Sequence, residues 1–174
     1  ADPTREGYTF AGWDGTIPAT MPAKNSTLNA QWDINQYTLT FKKNDEEVIS
    51  SEKYDYGHVF HENEMAQDPD SVGYSFMGWS PELPTKMPAE DFTTTAQWTI
   101  NSYKISFHGD LDNRLFYEVT VEYGSDLEDI INKAKTKVPA VEGETFKGWN
   151  QAIPETMPAN NLHIYALYSA NTYY

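Results

Sequence analysis

One phrase is written three times in this chain: FAGWDGTIPATMPA from Phe10 to Ala23, FMGWSPELPTKMPA from Phe76 to Ala89 and FKGWNQAIPETMPA from Phe146 to Ala159. The register holds beyond the phrase. Trp13, Trp79 and Trp149 are each followed eight residues later by a methionine, Met21, Met87 and Met157. Eleven residues further on stand Trp32, Trp98 and Tyr168, each with an alanine two positions before it. Three residues after those, Asn35, Asn101 and Asn171 open an N-x-Y triplet. Chance does not hold four landmarks in step three times, so the chain is a tandem repeat. Whatever fold it takes must be a small unit that recurs.

Within one period the apolar residues change rhythm. NQYTLTF and NSYKISF alternate, placing Tyr37, Leu39 and Phe41, then Tyr103, Ile105 and Phe107, on one face of a strand. LFYEVTVEYG predicts a second strand with Leu115, Tyr117, Val119 and Val121 on one side. SDLEDIINKAKTKVP predicts a helix: Ser125 and Glu128 form a capping box, Leu127, Ile130, Ile131 and Ala134 the apolar stripe, and Pro139 the stop. The matching HVFHENEMAQDP of the preceding unit predicts a poorer helix, or only a turn or two. ETFKGW is a third strand, and LHIYALY a fourth, with Leu162, Ile164, Ala166 and Tyr168 facing one way. The unit is thus β-β-α-β-β over about 68 residues, close to the smallest size that keeps a core of its own. The expected fold class is α+β, a mostly antiparallel or mixed sheet with one helix laid on it.

The register also sets boundaries. Residues 1–33 are the C-terminal half of a unit, 34–99 and 100–169 are complete units, and 170–174 begin another. Because it opens inside a unit, the chain is expected to be part of a longer protein. The half unit lacks a first hairpin and helix. It hangs free, pairs with a neighbouring sheet edge, or is completed by another molecule, which would be self-association. Almost no linker separates the units, so they are expected to form a semi-rigid string.

Composition narrows the function. Aromatics are 14% of the 174 residues, too many for a disordered chain of this charge. The formal charge of −14 disfavours nucleic acid and anionic membrane surfaces, both of which need a basic footprint. Cysteine is absent, which excludes disulfides, thiolate catalysis and cysteine-ligated zinc. No apolar run is long enough for membrane insertion.

DPTREGYTFAGW, from Asp2 to Trp13, closely resembles the signature of the Listeria–Bacteroides repeat, the B-repeat of internalin-type surface proteins; GYSFMGW with AQW and GETFKGW with ALY are the same phrase again. The resemblance covers essentially the whole chain. It implies a β-grasp-like module used in tandem, as stalk and adhesion segments, in bacterial proteins that are secreted or attached to the cell wall. It brings no catalytic residues and no cofactor. Where the family often carries an Asn-Gly-Gly turn between the first two strands, this chain has KKNDEEV and HGDLDNR, so a partner held by that turn does not carry over.

Each conspicuous group has a functional and a structural reading. The three tryptophans are either sugar-stacking platforms or core residues, with Gly12, Gly78 and Gly148 allowing a bulge or a close backbone approach beside them; the structural reading is preferred. The methionines read as plugs holding a long loop onto the sheet. Phe10, Phe76 and Phe146 complete the set of structural landmarks with Trp32, Trp98 and Tyr168. His58, His61 and Glu64 have spacing that would suit a metal on a helix, but the other complete unit has Ser125, Glu128 and Ile131 there, so solvated surface is favoured. GDLDN, from Gly109 to Asn113, crowds Asp110, Asp112 and Asn113 like a calcium loop yet lacks the later bidentate acid, so a polar hairpin turn is favoured. No lysine–asparagine–acid trio recurs that would suggest an intramolecular amide crosslink, and no nucleophile motif argues for an enzyme. The expected function is a non-catalytic stalk or spacer on a bacterial surface. The alternative is a direct adhesin binding a host protein or glycan.

Overall fold

The computed structural model describes residues 1–109 and 113–172. The second complete unit shows the unit's logic best. Strands β7 (Ser102–Gly109) and β8 (Leu115–Glu122) form a hairpin, α1 (Glu128–Lys135) follows, and β9 (Glu144–Trp149) and β10 (Leu162–Ala170) return. Their order is β8-β7-β10-β9. β10 lies parallel to β7, pairing Leu162 with Ile105 and Ile164 with Phe107, while both outer pairs are antiparallel. The fold class is therefore α+β with a mixed sheet. Alternation delivers Ile105, Phe107, Val121, Ile164 and Ala166 to one face, and Ala134 of α1 and Leu127 just before it pack onto that face, both buried.

The helix is shorter than its apolar pattern predicts and is capped differently. It starts at Glu128, whose N–H donates to the Asp126 carboxylate at 2.7 Å, so Asp126 does the work expected of the Ser125–Glu128 box. It ends at Lys135, before Pro139. A second correction concerns β8. A bulge sets His108 opposite Leu115, directly after the Phe107–Tyr117 pair. Phe116 is thereby turned towards the core cluster, while Leu115, expected on the apolar face, is 48% exposed.

The preceding unit repeats the topology with β3 (Gln36–Lys42), β4 (Val48–Asp55), β5 (Tyr74–Ser80) and β6 (Phe92–Ile100), ordered β4-β3-β6-β5. Between β4 and β5 there is only a 3₁₀ turn at Glu62–Glu64. Its core is correspondingly thin, with Leu39, Phe41 and Met87 buried and Phe60, Met65 and Trp79 packed around them. Residues 1–33 supply β1 (Tyr8–Trp13) and most of β2 (Ala30–Ile34), an antiparallel pair.

Contact density divides the chain into two compact parts: Ala1–Pro69 with Met77–Gln97, and Asp70–Phe76 with Trp98–Tyr174. The dividing line crosses β5 and β6. The opening of β5 and the end of β6 therefore pack with the residues that follow them.

Candidate functional site

Three structural features meet around the repeated phrase. The first is the bulge at its glycine. Gly12, Gly78 and Gly148 have φ of 119, 119 and 143°, a region that side chains rarely adopt, and a β-carbon on any of them would meet nothing within 4 Å. The glycine is thus required by backbone conformation rather than by crowding. On the flanking strands Phe10 meets Trp32, Phe76 meets Trp98 and Phe146 meets Tyr168, edge to face at 5.7, 5.8 and 6.2 Å. Trp79 packs on Phe41 at 4.9 Å and Trp149 on Phe107 at 5.0 Å.

The second is the methionine station. Met87 and Met157 are 0% and 1% exposed. Their loops are fixed by backbone bonds to the turn after the first hairpin: Met87 N–H donates to the His58 carbonyl and the Met87 carbonyl accepts from Gly57 N–H, and Met157 N–H donates to the Ser125 carbonyl while the Met157 carbonyl accepts from Gly124 N–H. Met21 is 85% exposed, with Trp13 at 39% and Ile17 at 63%. These three and Leu28 border a cavity of about 470 Å³. The partner elements of the other copies explain the difference. In the complete units the fourth strand runs nine residues, and its first part pairs in parallel with the first strand; β2 is five residues long and begins only at Ala30.

The third feature went unassigned in the sequence, although the letters GY and YG mark it. Asn35 N–H donates to the Gly7 carbonyl at 2.9 Å, Thr9 Oγ1 donates to Asn35 Oδ1 at 2.6 Å, and Tyr56 N–H donates to the Asn35 carbonyl at 2.8 Å. The same three bonds recur among Asn101, Gly73, Ser75 and Tyr123, at 2.9, 2.6 and 2.8 Å. The Tyr56 ring covers Gly7 and stands edge to face with Tyr8; Tyr123 does the same with Gly73 and Tyr74. Asn171 repeats the first two bonds, with Gly143 and Thr145. An asparagine at the N-x-Y triplet thus stitches the third strand of one unit to the first hairpin of the next.

The candidate metal groups stand otherwise than a helical site would need. His58 Nε2 lies 3.0 Å from Glu64 Oε1, and the other oxygen of Glu64 accepts the His61 N–H at 2.8 Å, closing the 3₁₀ turn. That amide bond, more than the imidazole contact, holds the Glu64 carboxyl below its ordinary range. Among the described residues no three potential ligands converge. Asp110 and Asp112 of the candidate calcium loop lie outside the described residues; Asn113 closes the hairpin at φ 52°. On the outer face of β7 and β8, Lys104 Nζ and Ser106 Oγ both donate to Glu118 at 2.8 Å and pull its carboxyl down, the lysine bond first. Asp14 is lowered by the Asn29 side-chain and backbone donors.

Compared with known proteins, the chain matches the Listeria-Bacteroides repeat domain three times, over residues 1–33, 37–101 and 103–167. It is 30% identical over 98% of its length to a protein of Evansella cellulosilytica provisionally named a membrane protein, covering 28% of that relative. A second protein of the same organism, provisionally named a Gly-rich membrane protein, is 30% identical over 86% of the chain and 18% of the relative. Internalin H of Listeria monocytogenes is 37% identical over 57% of the chain and 20% of its own length. The chain thus spans about a quarter or less of the curated relatives it matches. Among the described residues no helix is long and apolar enough to cross a membrane.

Proposed function

The chain belongs to the Listeria-Bacteroides repeat domain family, and from that premise we propose that it is a non-catalytic repeat segment of a bacterial cell-surface protein, a spacer that presents another domain. The observation that carries this reading is the asparagine stitch, made at Asn35 and Asn101 with the same donors and acceptors. A joint that spends a backbone amide, a backbone carbonyl and a side chain on its neighbour leaves little freedom at the junction. In this reading residues 34–99 and 100–169 are complete β-grasp-like modules, 1–33 is a second half and 170–174 an opening. In the complete units the phenylalanines, glycines, tryptophans and methionines of the phrase then hold the fold and carry no ligand. The names of the relatives support an extracellular, cell-surface location, wall-attached or secreted.

The reading is tested by backbone relaxation in solution. Amides of Asn35 and Asn101 are expected to be as ordered as those of β3 and β7; large nanosecond motion there would remove the argument for a spacer. The alternative, direct adhesion to a host protein or glycan, draws on a specific observation: one complete unit presents the 3₁₀ turn at Glu62–Glu64 where the other presents α1. Saturable binding of the chain to host cells or a glycan array would favour it. Self-association through the open face of residues 1–33 is the remaining proposal for that segment, and light scattering over a wide concentration range tests it.

A further inference from the structure

The core-facing side of β4 has been rewritten relative to its counterpart. Register against β3 places Ser50 opposite Phe41, Glu52 opposite Leu39 and Tyr54 opposite Tyr37. Register of β8 against β7 puts Tyr117, Val119 and Val121 at those stations. A serine and a glutamate thus face inwards where the sister unit has a tyrosine and a valine. The same unit has also lost the covering helix. Where Leu127 and the α1 residue Ala134 are buried, a 3₁₀ turn at Glu62–Glu64 leads into Met65 and Ala66, which pack half-buried against Leu39, Phe41 and Met87. These changes fall on separate segments, yet they open one space.

That space is a cavity of about 370 Å³, floored by Leu39 and Phe41, flanked by Tyr54 and Met65, and edged by Glu52 and Glu64. It is within the range that takes a small ligand or a single side chain. Glu52 stays exposed although it points to the core side, which keeps the cavity open, because a carboxylate does not give up its water to an apolar face without a cation. Its hydrogen bond comes from a neutral donor, the Tyr54 hydroxyl at 3.2 Å. The apolar floor, the aromatic wall and the Glu52 carboxylate at the edge suit an occupant with an alkyl stem and a cationic head; Glu64 is held by His58 and the His61 N–H and adds negative field only.

We propose that this cavity binds a lysine or arginine side chain presented by a basic segment of another protein. The methylene stem lies on Leu39, Phe41 and Met65, and the head meets the carboxylate of Glu52 beside the Tyr54 ring, since Glu64 already accepts from His58 and from the His61 N–H. The acidic excess of the chain, −14 in formal charge, steers such a partner towards it. The sister unit offers no equivalent, since Tyr117, Val119 and α1 fill the same place. This inference stands apart from the spacer reading: a spacer can carry one adhesive unit, and an adhesive unit can fail while the joints hold.

The test is a titration of the full 174-residue chain, ¹⁵N-labelled, with capped Gly-Lys-Gly and Gly-Arg-Gly peptides, and with norleucine in the central position as the neutral control. The expected result is saturable shifts at Ser50, Glu52, Tyr54 and Asn63–Ala66, weakened by salt and absent with norleucine. Glu52→Gln keeps the shape and is expected to weaken binding several-fold. The double variant Ser50→Tyr with Glu52→Val, which installs the sister residues, is expected to abolish it while the Asn101 joint keeps its spectrum. No saturable shift with either cationic peptide, equal shifts with norleucine, or undiminished binding by Glu52→Gln would each overturn the proposal.

Discussion

The ring of Tyr56 lies directly on the backbone of Gly7, so close that a β-carbon on Gly7 would overlap it; the two are forty-nine positions apart in the chain. Tyr123 covers Gly73 in the same way, whereas Gly143 has open space in that direction. All three glycines share a φ between 74 and 79°. This gives an internal comparison of conformational cost against crowding.

Gly143→Ala should meet only the left-handed backbone cost, about 1–2 kcal/mol. Gly73→Ala should meet that cost and the clash with Tyr123, about 2–4 kcal/mol in total. Denaturant unfolding of the two variants measures the difference. Equal losses would mean that the tyrosine ring moves aside freely and the joint is soft.

The methionine station makes a second comparison. Met87→Ala and Met157→Ala each remove a buried side chain and should cost about 2–5 kcal/mol. Met21→Ala removes one that is 85% exposed and should change stability by less than about 0.5 kcal/mol. Thermal melts of the three variants check this, and a large loss at Met21 would show that the loop is held by contacts of its own.

Completing the half unit should close its open face. Residue 1 stands in register with residue 137, so a fused copy of residues 100–136 placed before Ala1 supplies a β-β-α segment. The Met21 amide should then exchange slowly with solvent, as Met87 and Met157 are expected to do from their bonds to His58 and Ser125. Residues 26–29 should join β2 as the corresponding residues join β6 and β10. Unchanged exchange at Met21 and Ser26–Asn29 would count against the shared architecture of the three copies.

The carboxyls of Glu118, Glu64 and Asp14 are all lowered, each by hydrogen bonds to its ionised form. A folded-state value below the unfolded one stabilises the fold above the unfolded value, and that contribution is lost as pH falls through the folded one. Stability should therefore start to fall as pH drops past the ordinary glutamate value of 4.5 and continue below it. A carboxyl-resolved NMR titration should place the Glu118 midpoint below 4.5, and Lys104→Met should move it up. A Glu118 midpoint indifferent to Lys104→Met would refute the assigned cause.

Much of the α+β fold is legible locally. Tyr103, Ile105 and Phe107 alternate because each strand residue turns to the opposite face, and Leu127, Ile130, Ile131 and Ala134 keep helical spacing for an equally local reason. What failed was local too, but decided by distant partners. Leu115 continues the alternation of β8 in sequence, yet the bulge against His108 rotates it out and brings Phe116 in. The Asp126 carboxylate, and not the Ser125 hydroxyl, accepts the Glu128 N–H, and the turn before the helix is tied to the loop of Met157: Met157 N–H donates to the Ser125 carbonyl and Leu127 N–H to that of Glu155.

By itself the sequence determined the period, the order of strands and helix and the family, since these are carried by spacing along the chain. The tertiary structure decided what each copy of a landmark does. Trp79 and Trp149 lie against Phe41 and Phe107, while Trp13, in the same phrase, borders an open cavity. It also decided that Gly7 and Gly73 sit beneath a tyrosine from the next hairpin, and that Ser50 and Glu52 face inwards over Leu39 and Phe41. The physical reason is that burial belongs to a set of neighbours and not to a residue. Identical letters acquire different environments when the strand pairing and helix that surround them are present in one copy and lacking in another.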